Sequence, residues 1–253
     1  MCVNRTRHQA VDTTAVKLSR TKGRHLTLSL ASRSYRFARS VVPRRWMAHR
    51  LLNATWTLRR LAWEQVWYWL PAEEAMELLR PESLPFVRAA TPAASRVIDL
   101  GGGRGLASFV AGEVADEVLY VDHDPANLAV ARATCAGRAN IEFVQGDALS
   151  TLEDRAPFDL AIMFHFLEHI DDPERILGRL RRHCARLLIE VPDFGSEPLN
   201  YIRLREKLPL FSDTDHVTEF TEGHLSAVLA SGGWKLVRTR VTNGTLLVLA
   251  ERR

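Results

Sequence analysis

The stretch Arg96-Val97-Ile98-Asp99-Leu100-Gly101-Gly102-Gly103-Arg104-Gly105 decides how the chain is read. Three of the first five residues are apolar and an acid stands next to last before the glycines, which reads as a buried strand running into a tight loop. Glycines at 101, 103 and 105 admit positive φ and let backbone approach a ligand without Cβ collisions. The dinucleotide fingerprint GxGxxG requires a small residue at 106, and Leu106 stands there instead. A carboxylate at Asp99 suits an ammonium group and repels a phosphate.

Working outward, the spacing predicts further strands that end in acids. Glu117–Asp122 places Asp122 21 residues after Gly101, where a carboxylate can take both hydroxyls of a ribose. Asp124-Pro125 then opens a helix, with an N-cap acid and proline in the first turn. A third strand is read over 141–148 and ends at Asp147, which is placed to accept an adenine amino group. Phe158–Phe164 is a run that is apolar but for Asp159, as expected of a parallel strand buried on both faces. The ligand these residues suit is cationic and nucleoside-like, and S-adenosyl-L-methionine fits that description.

With these segments in this order, the chain resembles the class I S-adenosylmethionine-dependent methyltransferases. The matching residues are Val97 to Gly105, Val121-Asp122-His123-Asp124, Gly146-Asp147-Ala148 and Phe158 to Ile170. The block Phe166-Leu167-Glu168-His169-Ile170-Asp171-Asp172-Pro173 is similar to the small-molecule branch that includes ubiquinone-type and sugar methyltransferases. The resemblance covers roughly residues 95–251 and implies an α/β fold: a doubly wound, Rossmann-like sheet of seven strands in the order 3-2-1-4-5-7-6, the last strand antiparallel. It assigns Asp99 and Gly101, Gly102, Gly103 and Gly105 to the methionine end of the cofactor. Asp122 with His123 then falls at the ribose, Asp147 with Ala148 at the adenine, and Phe164 and His165 beside the sulfonium.

The C-terminal half continues the alternation. Asp172-Pro173 opens a helix with Ile176, Leu177 and Leu180 on one face, and 187–192 reads as a fifth strand stopped by Pro192. A helix over 219–230 points Leu225, Val228 and Leu229 inward, with Thr218 as its expected cap. Two strands, 234–241 and 245–250, flank Asn243-Gly244, a strong hairpin signal.

For the chemistry, His165, His169, His216 and His224 are the candidate general bases, with His216 in the block 213–220 that resembles an acceptor wall. Cysteines at 2, 135 and 184 show no paired spacing, so neither a disulfide framework nor a metal site is expected.

Charge is distributed unevenly. Residues 1–60 carry 14 Lys/Arg against one acid, a net of +13. The rest carry 20 against 29, a net of −9, which together give the overall +4. Residues 1–45 read as a largely irregular basic tail. It is open to three readings: a solvated extension, an organelle transit peptide, or an arm for nucleic acid or anionic membrane. Between 46 and 92 lies a helical extension. Met47, Leu51, Ala54, Leu58, Ala62, Val66 and Trp69 form its stripe, and five of the six tryptophans fall between 46 and 69. That stripe is expected to pack on the domain at 93–253 as a lid, the alternative being peripheral contact with a membrane.

The expected function is methyl transfer to a small-molecule acceptor, at oxygen rather than carbon or nitrogen. The alternatives are an RNA methyltransferase using the basic arm, and a non-catalytic partner subunit that keeps the cofactor fold. The Asn/Asp-Pro-Pro-aromatic block of amino-methylating nucleobase enzymes is replaced here by Phe164-His165-Phe166-Leu167, so no stable nucleic-acid partner is expected. The compartment expected is the cytoplasm, or an organelle matrix if 1–45 is a transit peptide.

Overall fold

The computed structural model describes residues 26–155, 157–210 and 215–253. It divides into two units, Met1–Ala48 and His49–Arg253. In the first, Leu26–Val41 forms helix α1. This corrects the reading of 1–45 as a largely irregular tail over its second half; residues 1–25, on which the three readings of the tail chiefly rest, lie outside the described residues.

The second unit holds a seven-stranded sheet in the order β3-β2-β1-β4-β5-β7-β6. Its strands are β1 (Arg96–Leu100), β2 (Glu117–Asp122), β3 (Ile141–Gln145), β4 (Phe158–Phe164), β5 (Cys184–Pro192), β6 (Trp234–Thr242) and β7 (Thr245–Arg252). β1 to β5 run parallel, and β7 is antiparallel to both β5 and β6. The central strands are mostly apolar because helices cover both faces of the sheet. One core gathers around Ile98, Leu119, Leu177 and Trp234, the other around Val97, Tyr120, Leu160 and Leu188. Neighbouring residues of β1, Val97 and Ile98, thus serve opposite cores, as the alternation of side chains along a strand requires.

The intervening helices start where local chemistry dictates. α5 (Leu106–Ala111) follows the glycine loop, and α6 (Pro125–Thr134) is capped by Asp124, whose Oδ1 accepts from Ala126 N at 2.8 Å. α7 (Ala148–Arg155) precedes β4, and α8 (Pro173–His183) is capped by Asp172 with Ile176, Leu177 and Leu180 buried. α9 (Leu199–Glu206) follows β5. α10 (Glu222–Ser231) starts three residues later than expected, so its cap is Thr221 rather than Thr218: Thr221 Oγ1 accepts from His224 N at 3.2 Å. The Asn243-Gly244 turn takes φ of 45° and 80°, the left-handed pair that a two-residue hairpin demands.

Ahead of the sheet lie α2 (Arg44–Trp69), α3 (Ala72–Leu79) and α4 (Ser83–Ala90). α2 does not bury its predicted stripe: none of its residues is buried, and Leu51, Leu58 and Trp69 are exposed. The face that docks is the other one. Arg203 of α9, only 3% exposed, donates to the Leu52 carbonyl at 2.7 Å and lies over the Trp56 ring. His49 meets Glu206 at 3.0 Å, and Arg80 lies over the rings of Trp63 and Trp67. Arginine–tryptophan stacking and backbone carbonyls, not aliphatic burial, hold this helix in place.

Candidate active site

At the carboxyl ends of β1 and β2 two acids organise the glycine loop. Asp99 is 1% exposed and accepts the Ser108 hydroxyl at 2.6 Å. Burial pushes its carboxyl up to about 6; the Ser108 bond opposes that rise and the charge of Asp122 adds to it. Asp122 ties three segments together. Its Oδ2 accepts from Gly103 N at 2.9 Å and from Asn127 Nδ2 at 3.2 Å, and its Oδ1 from Asp124 N at 2.9 Å. Gly103 takes φ 52° and Gly105 φ 79°, so both need glycine. Gly102 needs it for space: a Cβ there would stand 2.5 Å from the Tyr120 ring, whose hydroxyl donates to the Gly103 carbonyl at 2.6 Å.

These residues fit S-adenosylmethionine. The loop closes over a buried, anion-only wall, and positive charge brought there favours the ionised form of Asp99. Asp147 sits differently from the expectation. β3 stops at Gln145, and Asp147 is an exposed cap of α7, accepting from Ser150 N at 2.8 Å and its hydroxyl at 2.9 Å. The Ser150 backbone bond, the largest cause, holds the Asp147 carboxyl below its usual value. Ala148 is buried at the start of α7, whereas the His123 side chain is 89% exposed and turned outward.

At the ends of β4 and β5 the chemistry changes. Phe164 closes β4, and His165 follows in a left-handed conformation, φ 51°. Its Nδ1 meets Glu168 Oε1 at 2.9 Å and its Nε2 meets Glu190 Oε1 at 3.0 Å. Both carboxylates are buried, at 1% and 0%. Burial and the nearby Arg80 push the imidazole pKa down, but the two carboxylate bonds outweigh them and raise it. For Glu190, burial raises the pKa and the partners His165 and Arg80 carry it below the usual carboxylate value. Both ring nitrogens of His165 thus face buried carboxylate oxygens, an arrangement that favours the protonated ring and turns neither nitrogen toward a methyl acceptor. Arg80 completes the row, with Nη1 3.3 Å from Glu190 Oε1.

His169 and His216 stand together beyond this row, ring centroids 4.9 Å apart and edge to face. His169 Nδ1 lies 3.3 Å from Asp215 Oδ2, and His216 Nδ1 3.3 Å from Glu219 Oε1. The 3-10 turn Leu167–His169 carries Glu168, whose carbonyl accepts from Val217 N and Thr218 N and so pins the 215–218 segment beside it. Asp213 and Thr214 lie outside the described residues. One ligand atom each from Glu168, His169 and His216 falls within 4.8 Å of the others, a set that could hold a cation although cysteine spacing pointed to none. His224 stacks on Phe220, on the first turn of α10.

Sequence reasoning missed Arg80, Glu168 as a partner, and Glu190. The last left a trace: an acid inside the apolar run Leu187-Leu188-Ile189-Glu190-Val191.

A family model described as a methyltransferase domain matches residues 83–239. A ubiquinone biosynthesis O-methyltransferase of Xanthomonas axonopodis pv. citri is 31% identical over 119 residues, covering 46% of this chain and 48% of that protein. The enzyme of the same description from Idiomarina loihiensis is 34% identical over 129 residues, 48% and 51%. The chain spans about half the length of these curated relatives. Among solved structures, magnesium protoporphyrin IX methyltransferase from Synechocystis PCC 6803 with bound SAH superposes with a TM-score of 0.57 at 17% identity, covering 83% of this chain and 100% of that one. The DhpI–SAH complex gives 0.55 at 20% identity, with coverage of 80% and 97%. Glycine loop, paired acids, strand order and family match converge: the chain belongs to the methyltransferase domain family, within the class I S-adenosylmethionine-dependent superfamily.

Proposed function

We propose that this chain transfers the methyl group of S-adenosylmethionine to a hydroxyl oxygen of a small-molecule acceptor, with the acceptor held between the ends of β4 and β5 and the 215–219 segment. The observation that carries the reading is the His169–Asp215 contact, on the turn after β4 whose Phe166 ring packs against Gly101 of the cofactor loop. Bound at Asp99, Asp122 and the 101–105 loop, the cofactor supplies a methyl carbon activated by its sulfonium. The acceptor oxygen forms the new C–O bond as the C–S bond breaks in line, and S-adenosylhomocysteine leaves. The Nδ1–H of His169 donates to the Asp215 carbonyl, with the Asp215 carboxylate also 3.3 Å away, which leaves the lone pair on Nε2 to accept the hydroxyl proton. His165 has its place in holding the turn that carries Glu168 and His169. The O-methyltransferase relatives support oxygen over carbon or nitrogen.

The Glu168–His169–His216 set favours one second reading, in which a divalent cation lowers the hydroxyl pKa in place of the histidine. Turnover of catechol-type and quinol-type acceptors, followed as S-adenosylhomocysteine release, separates the two. With His169→Asn we expect kcat to fall about 100-fold with the cofactor Kd unchanged. Turnover that survives chelation supports the base; turnover lost on chelation and restored by added metal supports the cation. A folded chain that binds the cofactor and methylates none of these acceptors, metal added or not, would sink both.

A further inference from the structure

We propose that the outward face of α2 rests on an anionic membrane surface. Leu51, Leu58, Leu61, Tyr68 and Trp69 recur at helical spacings of three, seven and eleven and are exposed by 48%, 65%, 45%, 85% and 80%. They lie on the side opposite Trp56, Trp63 and Trp67, the rings that meet Arg203 and Arg80. The helix therefore presents its aliphatic side to the outside while its aromatic–cation side faces the domain. Such an apolar stripe is left exposed only where something else covers it.

Charge selects the occupant. Within α2 itself five arginines stand against one acid, Glu64, a net of +4; Glu64 is 3.7 Å from Arg60, and Arg59 is 3.2 Å from Glu197. A second copy of this chain would bring like charges face to face across a two-fold axis. A bilayer rich in anionic lipid offers the opposite sign to the arginines and a hydrocarbon boundary to the leucines. Tyr68 and Trp69, each with an apolar ring and a polar tip, suit the headgroup level. The helix lies on the surface: among the described residues no helix is long and apolar enough to cross a membrane.

The test is flotation of the full chain with phosphatidylcholine vesicles, with and without phosphatidylglycerol. We expect binding to the anionic vesicles alone, weakened by salt, and at least about tenfold weaker in the double variant Leu51→Glu/Leu58→Glu. S-adenosylhomocysteine affinity and melting temperature of that variant should match the native chain, since both leucines are exposed. Should the variant fail to fold, quenching of native tryptophan fluorescence by brominated lipid reads the same contact. A native chain that binds S-adenosylhomocysteine but neither floats nor is quenched overturns the proposal. So does a double variant that floats equally well, or a native dimer that Leu58→Glu splits.

Discussion

The cofactor side of this site, at the ends of β1 and β2, and the charged row at the ends of β4 and β5 are built in opposite ways. On the cofactor side each carboxylate is met by neutral donors close by in the chain. Asp99 meets Ser108 nine residues on, and Asp122 meets Gly103, Asp124 and Asn127 within 19. In the charged row the groups alternate, Arg80, Glu190, His165 and Glu168, and the first contact joins residues 110 apart. The first arrangement leaves uncompensated negative charge for a cationic ligand to neutralise. The second neutralises itself, so what it provides is position.

The largest expected effect tests the self-neutralised half. Glu190→Ala strands Arg80 and His165 without their shared partner, and we expect a loss of about 3–5 kcal/mol in urea denaturation. A loss below 1 kcal/mol would show that the row does not work as a unit. On the cofactor side, Asp122→Ala removes the acceptor of three loop bonds. Calorimetry should show S-adenosylhomocysteine binding weakened about 100-fold, near 2.7 kcal/mol, with a smaller loss of stability.

Asp99 sharpens the contrast through sign. Its folded-state pKa lies above the unfolded one, so the stability it contributes is present at low pH and is lost as pH rises through about 6. At pH 8 Asp99→Asn should therefore stabilise the ligand-free chain, by on the order of 1–2 kcal/mol, while impairing cofactor binding. In the native chain cofactor affinity should fall about tenfold per pH unit below that pKa. The smallest effect is expected at His165. Its raised pKa makes its contribution complete below the usual histidine range and lost as pH climbs through the raised value. Unfolding measured from pH 6 to pH 9 should show that decline, and His165→Gln should flatten it.

Local chemistry carried the sequence reading a long way. Strand β4 falls where its apolar run begins and ends, Asp124 and Asp172 cap the helices that their Pro neighbours announce, and Asn243-Gly244 makes its hairpin. Such features are decided within a few residues, by backbone dihedrals and by the period of the pattern. Asp147 misled because a capping acid and a strand-ending acid look alike when written in line. α2 misled more deeply: its stripe is real, but periodicity says only that a face is apolar, never which way it turns.

The residues alone specified the strands, the glycine loop and the two acids beneath it, because those features are local or repeat with a fixed period; the strand order came through the family resemblance, since pairings such as Asp99 with Ile162 are not local. Only the tertiary structure decided that both nitrogens of His165 are taken, that Arg80 reaches Glu190, and that His169 meets His216. Apart from Glu168, three residues from His165, those partners lie 25 to 110 residues apart, and the chain must fold before their charges can select one another.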